Sequence, residues 1–367
     1  MRILHVVDSL EPGGMENGVV NLIRGLSPEF EGHVACLTRR GAFADRLSTP
    51  ERVVALGKSR GFSPLVAWRL AMQIRRVRPA LLHTHNAGPL IYASLATAWG
   101  RLCPILHGEH SQLTDDEKSP RRLAQRRRFY RAARAVHCVA PAIRDELLAL
   151  GCAHPDTRVV PNGVDTARFS PGDRDAARRE FQLPLGARVL GIVGRFGPHK
   201  GHRALIDALA IAAGARPSLH LLIVGAGGPL EADVRECAAN SPMADRIRFT
   251  GFLPEPASAY RALDLLVIPS TNEGMANAAL EAMACAIPVL ANTGCGHEAV
   301  IDSGRDGLLA ELRSVAELTA AVESLIAEPA LLCELGERAR DKVCASFSIR
   351  TMMEAYAALY RALVPPA

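Results

Sequence analysis

The sequence predicts an α/β protein made of two doubly wound, Rossmann-like domains. Apolar segments typical of buried parallel strands alternate with helix-favouring segments along all 367 residues. The alternation falls into two sets, separated by a stretch rich in turn-forming residues between Pro161 and Pro184. A chain of this length also favours two domains, because single hydrophobic cores stop growing beyond about 250–300 residues.

Each set supplies at least five predicted strands. Those of the first half are Arg2–Val7, His33–Leu37, Arg52–Leu56, Ala80–His83, Pro104–His107 and Ala135–Val139. Those of the second half are Val189–Val193, Leu219–Val224, Ile247–Phe249, Leu265–Ile268 and Pro288–Ala291. We predict a first domain over 1–165, a linker over 166–186, a second domain over 187–345 and a C-terminal helix within 346–367 that returns to the first domain.

The composition favours a globular protein in the cytoplasm. Hydrophobic residues make up 49% and charged residues 22% of the chain, without the bias of disordered or collagen-like sequences. The sequence has no apolar stretch long enough for a membrane-spanning helix, and its first residues form a predicted strand without a signal-peptide cleavage site. The nine cysteines include no CxxC pair, so we expect reduced packing residues.

The net charge of +5 is unevenly distributed, with seven arginines between Arg121 and Arg134. One interpretation is a solvated helix face, with Leu123, Phe129 and Tyr130 turned inward. The alternatives are peripheral contact with an anionic membrane, at the inner face of the cell membrane, or with a phosphate-bearing acceptor. Nucleic acid is not an expected partner, because no recognisable binding module surrounds the arginines.

Loops at the carboxyl ends of the strands are the candidate ligand sites, because doubly wound sheets bind ligands at that edge. The loop Gly194–Gly201 carries Arg195 and Lys200 just before a helix, which indicates an anion site. The alternative is an ordinary basic loop. Glycine-containing loops follow two other predicted strands, at Gly225 and at Gly13-Gly14. Glycine in such a loop lets a ligand approach the backbone closely.

Two glutamates, eight positions apart, flank the predicted start of a helix. Glu273 lies in the loop after a predicted buried strand, and Glu281 lies one to two turns inside the helix, about 8–12 Å further along its axis. Two hydrogen-bond acceptors at this spacing can hold two parts of one long polar ligand. The alternatives are a carboxylate favoured by the helix dipole at Glu273 and a surface residue at Glu281.

Taken together, these motifs resemble the family-4 retaining glycosyltransferases of the GT-B fold. The similarity runs in order from Arg2 to about Leu309, includes the segment Pro161–Asp165, and is most specific at the paired glutamates Glu273 and Glu281. A finer similarity links this chain to sugar transferases of bacterial exopolysaccharide or exosortase-linked gene sets. It is carried by Gly13-Gly14-Met15-Glu16 and His107-Gly108-Glu109-His110.

The resemblance implies that a UDP- or GDP-linked sugar lies in a cleft between the two domains. The sugar is then transferred, with retention, to a hydroxyl of a glycan, a lipid-linked molecule or a small molecule. By this resemblance Arg195 and Lys200 hold the diphosphate, and Glu281 binds the ribose hydroxyls. Glu273 binds the donor sugar, helped by the backbone of Gly274, Met275, Ala276 and Asn277. The base is bound by the backbone around Gly251, Phe252 and Leu253. The family also carries a functional histidine near the donor sugar, for which His110 is preferred and His107 is the alternative.

We predict catalysis without a metal or another cofactor. The histidines His83, His85, His107 and His110 lack a carboxylate or cysteine that would complete a convincing metal site. The triplet Asp173-Arg174-Asp175 mimics a metal-binding motif, but it lies in the predicted linker with no strand before it.

Two other enzyme classes remain as alternatives. A nucleotide-sugar epimerase or hydrolase of the GT-B fold would use the same donor site without an acceptor. A nicotinamide-dependent dehydrogenase is disfavoured, because no complete GxGxxG with a following acidic residue is present. The sequence departs from the family at Gly274-Met275-Ala276 and at Ala286, where a glycine is common. We therefore expect a differently arranged backbone around the sugar.

Overall fold

A computed structural model of the chain describes residues 1–99, 103–214 and 216–364. These residues form thirteen strands, all in parallel pairs. The strands are β1 (Arg2–Val7), β2 (Glu31–Cys36), β3 (Val53–Ala55), β4 (Leu81–His85), β5 (Ile105–Glu109), β6 (Ala135–Cys138), β7 (Thr157–Val159), β8 (Arg188–Val193), β9 (Leu219–Val224), β10 (Ile247–Gly251), β11 (Leu265–Ile268), β12 (Val289–Asn292) and β13 (Leu308–Ala310).

Helices connect the strands. They are α1 (Gly14–Leu26), α2 (Pro64–Val77), α3 (Ala87–Trp99), α4 (Pro120–Tyr130), α5 (Pro141–Ala149), α6 (Arg174–Glu180), α7 (His202–Ala212), α8 (Glu231–Ala239), α9 (Ala257–Arg261), α10 (Asn277–Ala284), α11 (Val315–Ile326), α12 (Pro329–Ser346) and α13 (Ile349–Leu363). None of the helices in the described part of the chain is both long and apolar enough to cross a membrane.

The chain divides into two compact units, each with its own sheet. The first unit comprises residues 1–162 together with the C-terminal helix from Arg350, and its seven-stranded sheet has the order β3-β2-β1-β4-β5-β6-β7. The second unit is Gly163–Ile349, with the six-stranded order β10-β9-β8-β11-β12-β13. Central strands such as β4 and β9 are buried along their whole length, as parallel sheets covered on both faces require. The predicted fold of two doubly wound α/β domains is confirmed.

The stretch predicted as a linker, 166–186, contains helix α6 and lies within the second unit. Asp173 caps this helix by accepting a hydrogen bond from the backbone N–H of Ala176 at 3.0 Å. Buried Arg178 donates to the carboxylate of Asp264 at 2.8 Å and to the carbonyl of Leu185 at 2.6 Å. The turn-forming residues therefore surround a capped helix that is anchored by a buried ion pair.

The arginine-rich helix α4 differs from a simple solvated face. Leu123 and Tyr130 are buried as expected, but Arg126 is buried as well. Its guanidinium contacts the carboxylates of Glu109 and Glu117, because a buried cation needs a charged partner. The other six arginines of the stretch are exposed.

Ala286, where the family commonly has glycine, adopts a left-handed backbone conformation with φ 59°. A side chain in this region costs roughly 1–2 kcal/mol, because Cβ crowds the following carbonyl oxygen. We therefore expect Ala286→Gly to raise the free energy of unfolding by up to about 1 kcal/mol, after the entropy cost of glycine is subtracted. Urea denaturation measures the change. Ala320→Gly, at an exposed position inside α11, is the control and should instead lower stability by about 1 kcal/mol. A decrease in both variants would contradict the prediction.

Candidate functional site

Two glycine-containing loops of the second unit pack directly against each other. Gly194 and Gly225 follow β8 and β9 and have φ values of 150° and 142°. A Cβ at Gly225 would overlap the carbonyl oxygen of Gly194. Gly228 is similarly close, since its Cβ would lie 2.5 Å from the carbonyl oxygen of Phe196. Close loop packing is therefore sufficient to explain these glycines, whether or not a ligand approaches them.

Lys200 and Glu273 come together from two different loops. Lys200 precedes α7, whose N-cap is Gly201 in the left-handed conformation with φ 75°. The Lys200 ammonium forms an ion pair with the Glu273 carboxylate, and both side chains are mostly buried, at 25% and 14% exposed. Arg195 lies in the same loop as Lys200 but is exposed, and it makes no ion pair with any residue in the described ranges. The loop thus presents one neutralised and one unneutralised cation.

Glu281 lies in α10 and is held by a residue that sequence reasoning missed. The hydroxyl of Tyr260 donates a hydrogen bond to the Glu281 carboxylate at 2.7 Å. Tyr260 is fully buried, and burial together with the neighbouring carboxylate raises the pKa of its hydroxyl well above the ordinary value. Tyr260 therefore remains a hydrogen-bond donor and fixes the orientation of Glu281, which is itself only partly exposed.

The backbone between Glu273 and α10 is tightly enclosed. Gly274, Met275 and Ala276 are buried, and Asn277 is partly exposed as the first residue of the helix. A Cβ at Gly296 would lie 2.8 Å from the carbonyl oxygens of Glu273 and Gly274, so the loop after β12 packs against this segment. The predicted base-contacting residues lie after β10, where Phe252 is half-exposed and Leu253 is partly exposed.

Three residues that either interact electrostatically with the Lys200–Glu273 pair or adjoin it in sequence carry buried polar atoms without partners among the described residues. Both ring nitrogens of His202 and His297 and the side-chain oxygen of Asn272 are buried and make no hydrogen bond within the described residues. Burial lowers the pKa of His202 to about 4, with Lys200 nearby, and also lowers that of His297, which interacts with both Glu273 and Lys200. Such groups normally find a partner in water or a ligand. Sequence reasoning missed both histidines.

The predicted glycine loop of the first unit opens α1. Gly13 is the N-cap in an extended conformation, and the helix begins at Gly14. The carboxylate of Glu16 lies directly over Gly13, where a Cβ would overlap it. This helix terminus therefore already faces a negative charge.

His107 and His110 occupy different environments. His107 is fully buried, and both its ring nitrogens are engaged, with the hydroxyl of Thr84 at 2.9 Å and the carboxylate of Glu109 at 2.9 Å. Burial alone would raise the pKa of Glu109, but His107 and Arg126 lower it to about 2. His110 is partly exposed, and its Nε2 lies 3.0 Å from Nδ1 of His85. Of the two, only His110 is partly exposed.

His110 belongs to a cluster of five histidines, defined as His5, His83, His85, His110 and His137. The ring nitrogens approach each other to 3.2 Å for His5–His85, 3.0 Å for His85–His110 and 2.9 Å for His83–His137. Gly108 makes room for the cluster, since a Cβ there would overlap His137 and lie 2.9 Å from Nε2 of His110. Helix α13 covers it, with the hydroxyl of Tyr360 2.8 Å from Nδ1 of His83.

Three imidazoles of this cluster are also close enough to bind a metal ion. Nitrogen atoms of His5, His83 and His85 all lie within 4.8 Å of one another. Each of the three rings already shares a hydrogen bond with another side chain of the first unit. The donor set is all imidazole, without the carboxylate or thiolate whose absence led us to predict no metal.

Two family models match consecutive parts of the chain. The family described as Glycosyltransferase Family 4 matches residues 12–168, and the family described as Glycosyl transferases group 1 matches residues 173–342. Between them, the two matches cover most of both structural units.

Curated relatives show the same similarity. A D-inositol 3-phosphate glycosyltransferase of Pseudarthrobacter chlorophenolicus is 30% identical over 287 residues, which cover 73% of this chain and 68% of the relative. One of Corynebacterium jeikeium is 36% identical over 219 residues, covering 57% and 52%. A 2-deoxystreptamine glucosyltransferase of Streptomyces kanamyceticus is 37% identical over 192 residues, covering 51% and 49%. The chain spans about half the length of the first curated relatives that it matches.

Among solved structures, the chain is similar to Anabaena Alr3699/HepE in complex with UDP and glucose. The TM-score is 0.88 at 22% identity, over 99% of this chain and 100% of the other. A sucrose-phosphate synthase from Thermosynechococcus elongatus gives a TM-score of 0.81 at 21% identity, over 99% and 98% of the two chains. At these identities the similarity concerns the fold.

Proposed function

Because the chain belongs to the family-4 glycosyltransferases of the GT-B fold, we propose that it is a retaining glycosyltransferase that uses a nucleotide-diphosphate sugar. The proposed acceptor is a hydroxyl group of a glycan, a lipid-linked molecule or a small molecule, in polysaccharide or glycolipid synthesis. The donor nucleotide is UDP or GDP. The structural neighbour crystallised with UDP and glucose makes UDP the first nucleotide to test.

The observation that carries this proposal is the concentration of unsatisfied polar groups around Lys200 and Glu273. Three residues there, His202, Asn272 and His297, have buried polar side-chain atoms without partners among the described residues. Each such group costs roughly 1–3 kcal/mol unless a partner binds. A hydroxyl-rich sugar with a diphosphate can supply both donors and acceptors to these groups.

Arg195 and Lys200 can stabilise the nucleoside diphosphate, which is the leaving group of the proposed reaction. Negative charge builds up on the nucleoside diphosphate as the glycosidic bond breaks, and preorganised cations stabilise it. Lys200 is already fixed by Glu273, while Arg195 extends into solvent from the same loop. In the proposed reaction both cations bind the diphosphate, and Glu273 turns to the donor sugar. The leaving phosphate takes the proton of the acceptor hydroxyl, so neither a metal nor another cofactor is part of the proposal.

Glu281 is proposed to bind the ribose. A carboxylate has about four lone-pair sites, so it can accept two adjacent ribose hydroxyls in addition to a hydrogen bond such as that from Tyr260. The backbone around Gly251, Phe252 and Leu253 is proposed to read the base. His110 is proposed to contact the donor sugar, since it is partly exposed while His107 is enclosed.

The second candidate function is a nucleotide-sugar epimerase or hydrolase of the same fold. It would use the same cations and carboxylates but release nucleotide at full rate from the donor alone. Transfer is instead proposed to need an acceptor, and the acceptor panel should include inositol 3-phosphate because of the relatives' activity. The anomeric configuration of the product, read by NMR, tests retention.

Peripheral contact with an anionic membrane, on the inner face of the cell membrane, is part of the proposal. The six exposed arginines between Arg121 and Arg134 support it, because each basic side chain near such a surface contributes about 1 kcal/mol. A lipid-linked acceptor would then be reached from the membrane surface.

The first experiment is calorimetric titration of the wild type with UDP and with GDP, followed by Glu281→Ala and Arg195→Ala. We expect one nucleotide to bind and both variants to weaken it at least tenfold, about 1.4 kcal/mol each, because each loses a charged contact. Arg203→Ala is the control, since Arg203 is another exposed arginine of the same unit. Binding of neither nucleotide by the folded wild type, or equal weakening in the control, would contradict the proposed donor site.

A further inference from the structure

The beginning of α2 and the residues just before it carry a cluster of exposed apolar side chains. Phe62, Leu65 and Trp68 are 60%, 51% and 54% exposed. They account for three of the nine large exposed hydrophobic residues in the described part of the chain, yet they fall within seven consecutive positions. Isolated exposed apolar residues are normal on a protein surface, whereas a cluster marks an interaction site. We call Phe62, Leu65 and Trp68 the α2 patch.

The α2 patch is held in position by the fold. The ring of Phe62 stacks on that of Tyr92 in α3 at a centroid distance of 5.5 Å and an interplanar angle of 20°. The hydroxyl of Tyr92 also accepts a hydrogen bond from the backbone N–H of Ser63 at 2.9 Å, at the start of α2. Leu65 and Trp68 are three residues apart and therefore share one face of the helix. The patch is a preformed surface.

The charged residues of the sequence segment that contains the patch are all basic. From Arg52 to Gly108 the sequence contains no aspartate or glutamate. The same segment contains eight basic residues, Arg52, Lys58, Arg60, Arg69, Arg75, Arg76, Arg78 and Arg101. Of those on α2 itself, Arg69, Arg75 and Arg76 are exposed. Apolar side chains that include a tryptophan, flanked by lysine and arginine, are the composition of a helix that lies in the interface of an anionic bilayer.

We propose that the α2 patch inserts into an anionic lipid bilayer and anchors the first unit on it. The patch lies on a different helix from the arginine-rich α4. Its apolar side chains can enter the hydrocarbon boundary of the bilayer, whereas the arginines of α4 can only bind its charged surface. The patch lies where α2 begins, and α3, which supports Phe62, begins directly after β4 at the carboxyl edge of the sheet. His85 ends β4, so the anchored edge is the one that carries the predicted ligand loops. The inference deepens the proposed function by favouring a lipid-linked acceptor.

The test is co-sedimentation of the full chain with sucrose-loaded vesicles of phosphatidylglycerol and phosphatidylcholine. We expect the wild type to bind mixed vesicles, to bind pure phosphatidylcholine vesicles at least about tenfold more weakly, and to dissociate as salt is raised. The variant Phe62→Ser/Leu65→Ser/Trp68→Ser should lose at least about tenfold in partitioning. Leu148→Ser is the matched control, because Leu148 is 52% exposed in the same unit but stands apart from the patch.

A spectroscopic readout locates the contact. Trp68 and Trp99 are the two tryptophans of the chain, so Trp99→Phe leaves Trp68 as the single reporter. Its emission should shift to the blue with anionic vesicles and be quenched by brominated lipids. Vesicle binding that the triple variant retains would overturn the proposal, since the α4 arginines would then suffice. The proposal would also be overturned if the wild type formed a dimer and did not bind vesicles, while the triple variant was monomeric. The patch would then be a protein interface. Neither measurement depends on nucleotide binding. The membrane proposal can therefore be disproved without affecting the proposed donor site, and the reverse also holds.

Discussion

Replacing Lys200 with methionine is expected to lower kcat/KM for glycosyl transfer about 10²–10³-fold. The loss of one preorganised charge that stabilises the transition state typically costs about 2.7–4 kcal/mol. Lys200 suits this role because it directly precedes the N-terminus of α7 and its ammonium group lies beside Glu273, the proposed sugar ligand. The measurement is the release of nucleoside diphosphate from the donor whose nucleotide binds, at saturating and at limiting donor concentration.

Replacing Lys200 can lower activity either by removing a catalytic charge or by destabilising the fold. Without Lys200 the carboxylate of Glu273, which is 14% exposed, loses its partner, and this destabilises the fold. The double variant Lys200→Met/Glu273→Gln removes both charges and should recover stability but not activity. Lys342→Met is the control, because Lys342 pairs with Asp302 and Asp306 at 2.9 Å in the same unit and should affect stability alone. Full activity in the double variant would exclude Lys200 from the reaction.

The fold could be predicted because most of its strands are buried apolar runs. The two strands that the sequence analysis missed, β7 and β13, lie at the edges of their sheets. Each is three residues long, and neither contains a buried residue, so hydrophobic patterning gives no signal there. Helix α6 was missed for a related reason, since its seven residues lie between turn-forming segments and its anchor is a buried arginine.

The site could be predicted only where charge and spacing along the chain carry the information. Lys200 and Glu273 were identified one by one, but their ion pair joins residues 73 positions apart. Tyr260 looks like a core aromatic in the sequence, because its hydrogen bond to Glu281 depends on how α9 and α10 pack. His5 and His137 gave no signal either. Their contacts arise from strand register and from the missing side chain of Gly108.

Acidification below pH 6.5 is expected to unfold the first unit steeply. Burial lowers the pKa of His5 to about 3 and that of His110 to about 4. It also lowers the pKa values of His83, His85 and His137 well below the ordinary value, and the mutual proximity of the rings adds to this. The folded cluster therefore holds five neutral imidazoles, whereas an unfolded chain would protonate them near pH 6.5.

The direction of the effect follows from proton binding. Above about pH 7 the histidines are neutral in both states and do not change stability with pH. Between 6.5 and the folded pKa values the unfolded state binds more protons, so stability falls as pH falls. Each histidine whose folded pKa lies below the pH then lowers the free energy of unfolding by up to about 1.4 kcal/mol per pH unit, so several of them together give a steep loss of stability. The whole stability of a typical domain is only about 5–15 kcal/mol.

Urea denaturation between pH 8 and pH 5, followed by tryptophan fluorescence, measures how the stability of the first structural unit changes with pH. Trp68 and Trp99 both belong to that unit, which also holds the histidine cluster. The variant His83→Gln should flatten the slope by up to about 1.4 kcal/mol per pH unit, even where it lowers stability at pH 8. His220→Gln, in the second unit, is the control and should leave this slope unchanged. A midpoint that stays constant from pH 8 to pH 5 would mean that the imidazoles take up protons in the folded state as readily as in the unfolded chain. Five charges could not share this buried space without partners, so such a result would contradict the packing of the cluster beneath α13 as well as its protonation.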